Sequence, residues 1–246
     1  MFIKIRKWKS KISACYKLLV SSPKLVELVK SPNLYCADGF ATTNFIGFKS
    51  DLRFNEVFSK SLIGIPEKYS TRLAEIEWRA HIVNWAASQA LSVEGDFVEL
   101  GVWYGVLSKN ICDQHNFGLK DRNFYLVDSW GSKGSLVGYE EDIYLNVCDR
   151  FYEYPNVKLI RGLVPQILHE IKLSKIAYLS IDMNNAEAEI SALEYLYDKV
   201  VTGGVIYIDD YGWNHPKLRI GVDAFFKNKQ ESLLHFPSGN AVVIKI

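Results

Sequence analysis

Five short apolar runs, each stopped by a charged residue or a glycine, do most to limit how this chain can fold. Residues 96–100 stop at Gly101, 124–127 at Asp128, 157–160 at Arg161-Gly162, 176–181 at Asp182, and 205–208 at Asp209-Asp210. Helical patterns lie between them, most clearly over 165–171 and 187–197. Strands this apolar are buried on both faces, and their alternation with helices predicts a parallel, doubly wound α/β sheet. Ligands of such sheets sit beyond the carboxyl ends of the strands. That is where the polar residues of this chain collect.

Upstream, Leu73, Ile76, Ala80, Val83 and Ala87 form one stripe, widened by Trp78, Ile82 and Trp85, which predicts a single helix running from Thr71 to the first strand. Arg79, His81 and Trp213 could reach substrate, and packing or surface roles suit them better. Residues 33–70 carry loop chemistry at Asp38-Gly39, Gly47, Gly64 and Pro66, with a short helical piece around 52–61. An extension over 1–70, a lid or an oligomer contact, and a main domain over 71–246 are expected. At the N-terminus Ile5, Trp8, Ile12, Cys15 and Leu19 share a helical face, and basic residues, among them Lys4, Arg6, Lys7, Lys9, Lys11 and Lys17, come before the first acid, Glu27. Such a helix packs on its own domain or a dimer mate, or holds weakly to an anionic membrane surface. At the other end, residues 232–236, the turn Pro237-Ser238-Gly239-Asn240 and residues 241–246 read as an antiparallel hairpin.

Composition excludes more than it selects. Lysine plus arginine is 29 against 28 acids, so a net charge of +1 gives no bulk attraction to nucleic acid. The 4 cysteines show no metal-ligand spacing, which argues against a zinc site or a disulfide-built fold and fits a reducing cytoplasm. No stretch reaches the roughly 18 apolar residues of a spanning helix, and Lys17 interrupts the apolar run that a secretory leader would need. A soluble, cytoplasmic protein is expected.

The first strand leads into Glu99-Leu-Gly101-Val-Trp-Tyr-Gly105, a strand, turn and helix start where backbone can approach a nucleoside. A dinucleotide fingerprint needs a middle glycine to admit a pyrophosphate, and Val102-Trp103 stand there instead. S-adenosylmethionine has no phosphate and carries an ammonium and a sulfonium, so an acid such as Glu99 suits it. Asp128 suits a ribose diol, and Trp130 suits the face of adenine. Asp182 and Asp209-Asp210, 27 positions on, end two strands that can be neighbours. Three crowded carboxylates repel unless a cation joins them, and oxygen-only ligands favour Mg²⁺ or a similar hard ion.

Glu99-Leu-Gly-Val-Trp-Tyr-Gly105, Val127-Asp-Ser-Trp130, Arg161-Gly-Leu163, Asp182 and Thr202-Gly-Gly-Val-Ile-Tyr-Ile-Asp-Asp-Tyr-Gly212 together resemble the macrocin O-methyltransferase family, metal-dependent sugar O-methyltransferases. The likeness runs from about Thr71 to Ile246. It implies a class I, Rossmann-like methyltransferase sheet ending in the antiparallel hairpin, and a homo-oligomer. It implies metal ligands at Asp182, Asp209 and Asp210. It implies cofactor contacts at Glu99, Gly101, Gly105, Ser108, Asp128, Ser129, Trp130, Gly162, Leu163 and Asp182. The acceptor implied is a sugar hydroxyl, on a nucleotide-activated sugar, a surface polysaccharide or a natural-product glycan. One departure stands out. The family reads Asp-x-Asp after the fourth strand, the second acid a general base, whereas this chain has Asp182-Met183-Asn184, and an amide takes no proton. Asp182 and His215 are the remaining catalytic candidates. A nicotinamide-dependent oxidoreductase on a similar sheet, and a cofactor-binding relative without turnover, are the competing expectations.

Overall fold

A computed structural model describes residues 31, 32, 34–131, 142–213 and 216–246. The expected amphipathic helix at Ile5–Leu19 and His215 lie outside the described residues. Two compact units divide after Gly47. In the first, β1 (Tyr35–Ala37) and β2 (Phe40–Thr42) pair antiparallel about Asp38-Gly39. Both turn residues are left-handed, at φ 48° and 83°, the geometry that an Asp-Gly hairpin turn favours.

The second unit begins at Phe48, so residues 48–70 pack with the sheet unit. Asp51 opens α1 (Leu52–Ser61), its carboxylate accepting from the Arg53 and Phe54 N–H groups. The single helix expected from Thr71 is two, α2 (Glu67–Ala74) and α3 (Glu77–Ala90). Ile76 between them leaves the helical basin at ψ 27°, a local kink that an apolar stripe does not register. Leu73, Ala80, Val83 and Ala87 are buried as the stripe requires, but Trp85 is 40% exposed. The inner face of α3 carries Arg79 and Asn84 instead, leaving Trp85 on the outside.

The remaining elements are β3 (Asp96–Leu100), α4 (Val106–His115), β4 (Phe124–Asp128), α5 (Tyr144–Phe151), β5 (Val157–Arg161), β6 (Ile176–Ile181), α6 (Ala186–Leu196), β7 (Val200–Ile208), α7 (Pro216–Phe226), β8 (Leu234–His235) and β9 (Ala241–Ile244). Each expected strand forms. Residues 166–170 make a 3₁₀ turn rather than an α-helix, since one turn gains little from helical cooperativity. β7 starts earlier than its apolar run. Gly203 and Gly204 conceal the extension, and both exchange backbone hydrogen bonds with Lys245 beyond β9.

The sheet order is β5-β4-β3-β6-β7-β9-β8, parallel except for β9 against β7 and β8. Alternate residues of each strand feed two cores. Phe97, Phe124, Tyr178 and Tyr207 pack with α3 and α4 on one face. Leu100, Leu179, Ile206 and Ile208 pack with α6 and α7 on the other. Among the described residues no helix is long and apolar enough to cross a membrane.

Candidate active site

Four backbone hydrogen bonds carry the parallel ladder one residue past the strand ends. Gly101 donates to Val127 (2.9 Å), Gly162 to Asp128 (2.9 Å), Asp182 to Leu100 (2.8 Å) and Asp209 to Ile181 (2.9 Å). The polar residue that stops each strand is thereby lined up with its neighbours along one rim. Gly101, at φ +82°, lies directly over Asp182, and a Cβ there would fall onto the Asp182 carbonyl. Gly105 caps α4 in the left-handed region, and its Cβ would meet the Phe151 ring at 2.6 Å. Four residues with side chains also adopt positive φ on this rim: Trp103, Trp130, Asn184 and Asp210. Left-handed backbone at such residues is strained, and that strain gathers at functional sites.

Asp128 has a task that its sequence context does not reveal. Its Oδ2 accepts from the N–H groups of Val102 (2.7 Å) and Trp103 (2.8 Å), and Oδ1 from Trp130 N–H (2.9 Å) and the Ser129 hydroxyl (3.3 Å). The carboxylate expected to receive a ribose thus holds the glycine turn in shape. Trp130, expected against adenine, is fully buried; its indole N–H donates to the Trp103 carbonyl (2.8 Å) and its ring packs on Tyr144. Gly162 admits the close approach of Ile167, and Leu163 beside it is 37% exposed.

Glu99 alternates to the α4 face and is buried, as is Ser108 on α4. Burial pushes the Glu99 carboxyl up to about 8, against the opposing pull of Ser108. Its Oε2 makes no hydrogen bond of normal geometry. A buried polar atom in this condition costs about 1–3 kcal/mol. In the fold Glu99 keeps its proton to about pH 8, whereas the unperturbed group releases it near 4.5. The folded state therefore binds the extra proton between those values, and stability falls as pH rises through that window, by about 1.4 kcal/mol per unit. Glu99→Gln should remove this contribution. Urea unfolding of both proteins at about pH 5 and about pH 8 should show a smaller loss in the variant, and equal losses would contradict the assignment.

Asp182, Asp209 and Asp210 converge as the sequence predicts, each offering an oxygen within 4.8 Å of the others. Burial and the charges of Asp209 and Asp210 push the Asp182 carboxyl well up, opposed by Arg79. Arg79, on α3, is buried and donates through Nη1 to Asp209 Oδ2 and to Asp210 Oδ1 (3.2 Å). Asp209 Oδ1 receives the Tyr207 hydroxyl (2.6 Å) and Asn240 Nδ2 (2.6 Å), and Ser238 Oγ donates to the Asn240 amide oxygen (2.7 Å). Glu189 accepts from the N–H groups of Met183 (3.0 Å) and Asn185 (3.2 Å), so it fixes the loop around Asn184; burial raises its carboxyl to about 7. Sequence reasoning missed the roles of Tyr207, Asn240 and Glu189, and it named Arg79 without its tie to the acids. For Arg79 the signal was present, a charged residue beside Ala80 on an apolar stripe.

Comparison with known proteins adds a sequence match over residues 145–234, which hold Asp182, Asp209 and Asp210. The matching family is macrocin O-methyltransferase. A curated relative is demethyldecarbamoylnovobiocin O-methyltransferase of Streptomyces niveus, 27% identical over 143 residues, 49% of this chain and 54% of that protein. The chain thus spans about half the length of the curated relative it matches. Among solved structures, the O-methyltransferase NovP superposes with a TM-score of 0.56 at 22% identity, covering 68% of this chain and 79% of NovP. CalS11, a TDP-rhamnose 3'-O-methyltransferase, gives 0.53 at 17% identity, covering 82% and 96%. The SAH-bound Podospora anserina methyltransferase PaMTH1 gives 0.54 at 13% identity, covering 79% and 88%. These likenesses establish the class I methyltransferase sheet. The macrocin O-methyltransferase match covers its acidic half.

Proposed function

We propose that this protein transfers the methyl group of S-adenosylmethionine to a sugar hydroxyl, assisted by a divalent cation at Asp182, Asp209 and Asp210. The observation that carries the reading is the convergence of these three carboxylates within 4.8 Å, one strand away from a turn that lacks the glycine a pyrophosphate needs. A hard oxygen donor set suits Mg²⁺, which supplies Lewis acidity toward a sugar oxygen. The donor molecule brings an activated methyl group, and the unsatisfied buried Oε2 of Glu99 suits its ammonium. The sugar class is inferred from relatives such as CalS11, named for a TDP-rhamnose, and points to a nucleotide-activated sugar or a glycan. Cytoplasmic location and self-association belong to the same inference.

Transfer to a hydroxyl demands that oxygen, methyl carbon and sulfur lie in line and that the hydroxyl proton leave. Asp128 supports this by clamping the turn at Val102 and Trp103, so the cofactor side of the cleft is rigid. Tyr207, Asn240 and Arg79 orient the Asp209 carboxylate from three sides. For the proton, Asp182 is the candidate within the cluster, as a carboxylate at the strand end that faces the acceptor side. His215 is the other.

Calorimetry with S-adenosylhomocysteine and with NAD tests the cofactor. Binding of the first alone is expected; tight binding of NAD alone would replace this reading with an oxidoreductase. Full activity after EDTA treatment would remove the metal from the mechanism. Asn184 motivates a second reading, a binding protein without turnover, which any methylated sugar product excludes.

A further inference from the structure

We propose that the Arg79 guanidinium is the resident counter-cation of the acidic cluster, and that a divalent ion enters by displacing it. This rests on the metal site proposed above. Asp209 is the deciding residue. Its Oδ1 already receives two donors, the Tyr207 hydroxyl and Asn240 Nδ2, which occupy both lone pairs. Oδ2 is left for a metal, and Oδ2 is the oxygen that Arg79 Nη1 holds. The same nitrogen reaches Asp210 Oδ1 at 3.2 Å. Two cations cannot share this oxygen in a buried site without strong repulsion, because the low dielectric leaves their charges unscreened. Exchange resolves the conflict: the metal-free protein keeps its acids compensated by a side chain from α3, and the loaded protein compensates them with the ion.

The guanidinium also lies 5.3 Å from the Trp213 ring, a cation–π contact across the rim. Displacement of Arg79 breaks that contact, so Trp213 reports the exchange. Arg79 is therefore a placeholder for the ion, occupying the oxygens of Asp209 and Asp210 that the ion would take.

Manganese titration followed by the electron paramagnetic resonance of free Mn²⁺ tests this with the whole protein and Arg79→Gln. The variant should bind at least about tenfold more tightly, since the competing charge is gone. Unchanged or weaker binding, with wild type still binding, overturns the exchange and leaves the metal site standing. No binding by either protein removes the metal site and the exchange with it. Where Arg79→Gln fails to fold, wild-type fluorescence decides. Mg²⁺ should shift the emission, and the shift should vanish in Trp213→Phe. Calorimetrically detected Mg²⁺ binding without a Trp213-dependent shift overturns the proposal.

Discussion

Asp209→Ala is expected to unfold more easily than wild type by about 3–5 kcal/mol, the usual cost of breaking a buried ion pair, and to lose methyl transfer altogether. Three partners lose their acceptor at once: the Arg79 guanidinium, the Tyr207 hydroxyl and the Asn240 amide. The cost arises mainly because Arg79 stays buried with only Asp210 left among these two acids to answer its charge. For a domain of this length the melting midpoint should fall by roughly 10 °C. Binding of S-adenosylhomocysteine should survive, because the glycine turn is held by Asp128 and not by Asp209. A thermal melt, a product assay and a calorimetric titration on one preparation separate the three effects. Unchanged methylation by the variant would refute the role given to Asp209.

Gly101→Ala should be equally damaging, for a reason of shape rather than charge. A residue with a side chain at φ +82° costs about 1–2 kcal/mol in backbone strain. The added Cβ would also fall onto the Asp182 carbonyl, and overpacking adds about 1–3 kcal/mol. Relief comes only by prising β3 from β6 where Asp182 N–H meets the Leu100 carbonyl. That displaces the turn and the acid cluster together, so cofactor binding should weaken more than tenfold. Gly39→Ala is the control. Gly39 has φ +83° and nothing within 4 Å of its added Cβ, so it bears the backbone strain alone, though in the unit that ends at Gly47, and the comparison is of each variant's loss in the melt of its own unit. If the two losses were similar, the contact between turn and aspartate would carry no weight.

The inner strands and their polar ends were legible because a parallel sheet buries both faces of its inner strands, and burial writes an apolar run; β5, at the sheet edge, is only half-buried and has Lys158 exposed, against the expectation of full burial. Asp182, Asp209 and Asp210 were legible because an acid ending a buried strand needs a reason to be there. The kink at Ile76 and the early start of β7 were not, since one depends on a single ψ angle and the other on two glycines that carry no pattern. Arg79 was misjudged because its partners lie 130 and 131 positions away, and periodicity reports only what shares a helix. Asp128 showed its charge in the sequence but not its partners, which are backbone N–H groups and have no letter of their own.

The antiparallel strand β9 bears on how the molecule is made. β7 supplies the strand that leads to Asp209, and among the described residues its outer edge pairs with 241–244 and with Lys245. Asn240, just ahead of them, completes the hydrogen bonding of Asp209. On a ribosome, residues up to 208 emerge first, so the strand leading into the acid cluster has an open edge until about 35 more residues have followed. Open edges of this kind invite pairing with other chains. The nascent protein thus carries an open, apolar strand edge at β7 until the segment that completes its working site has been made.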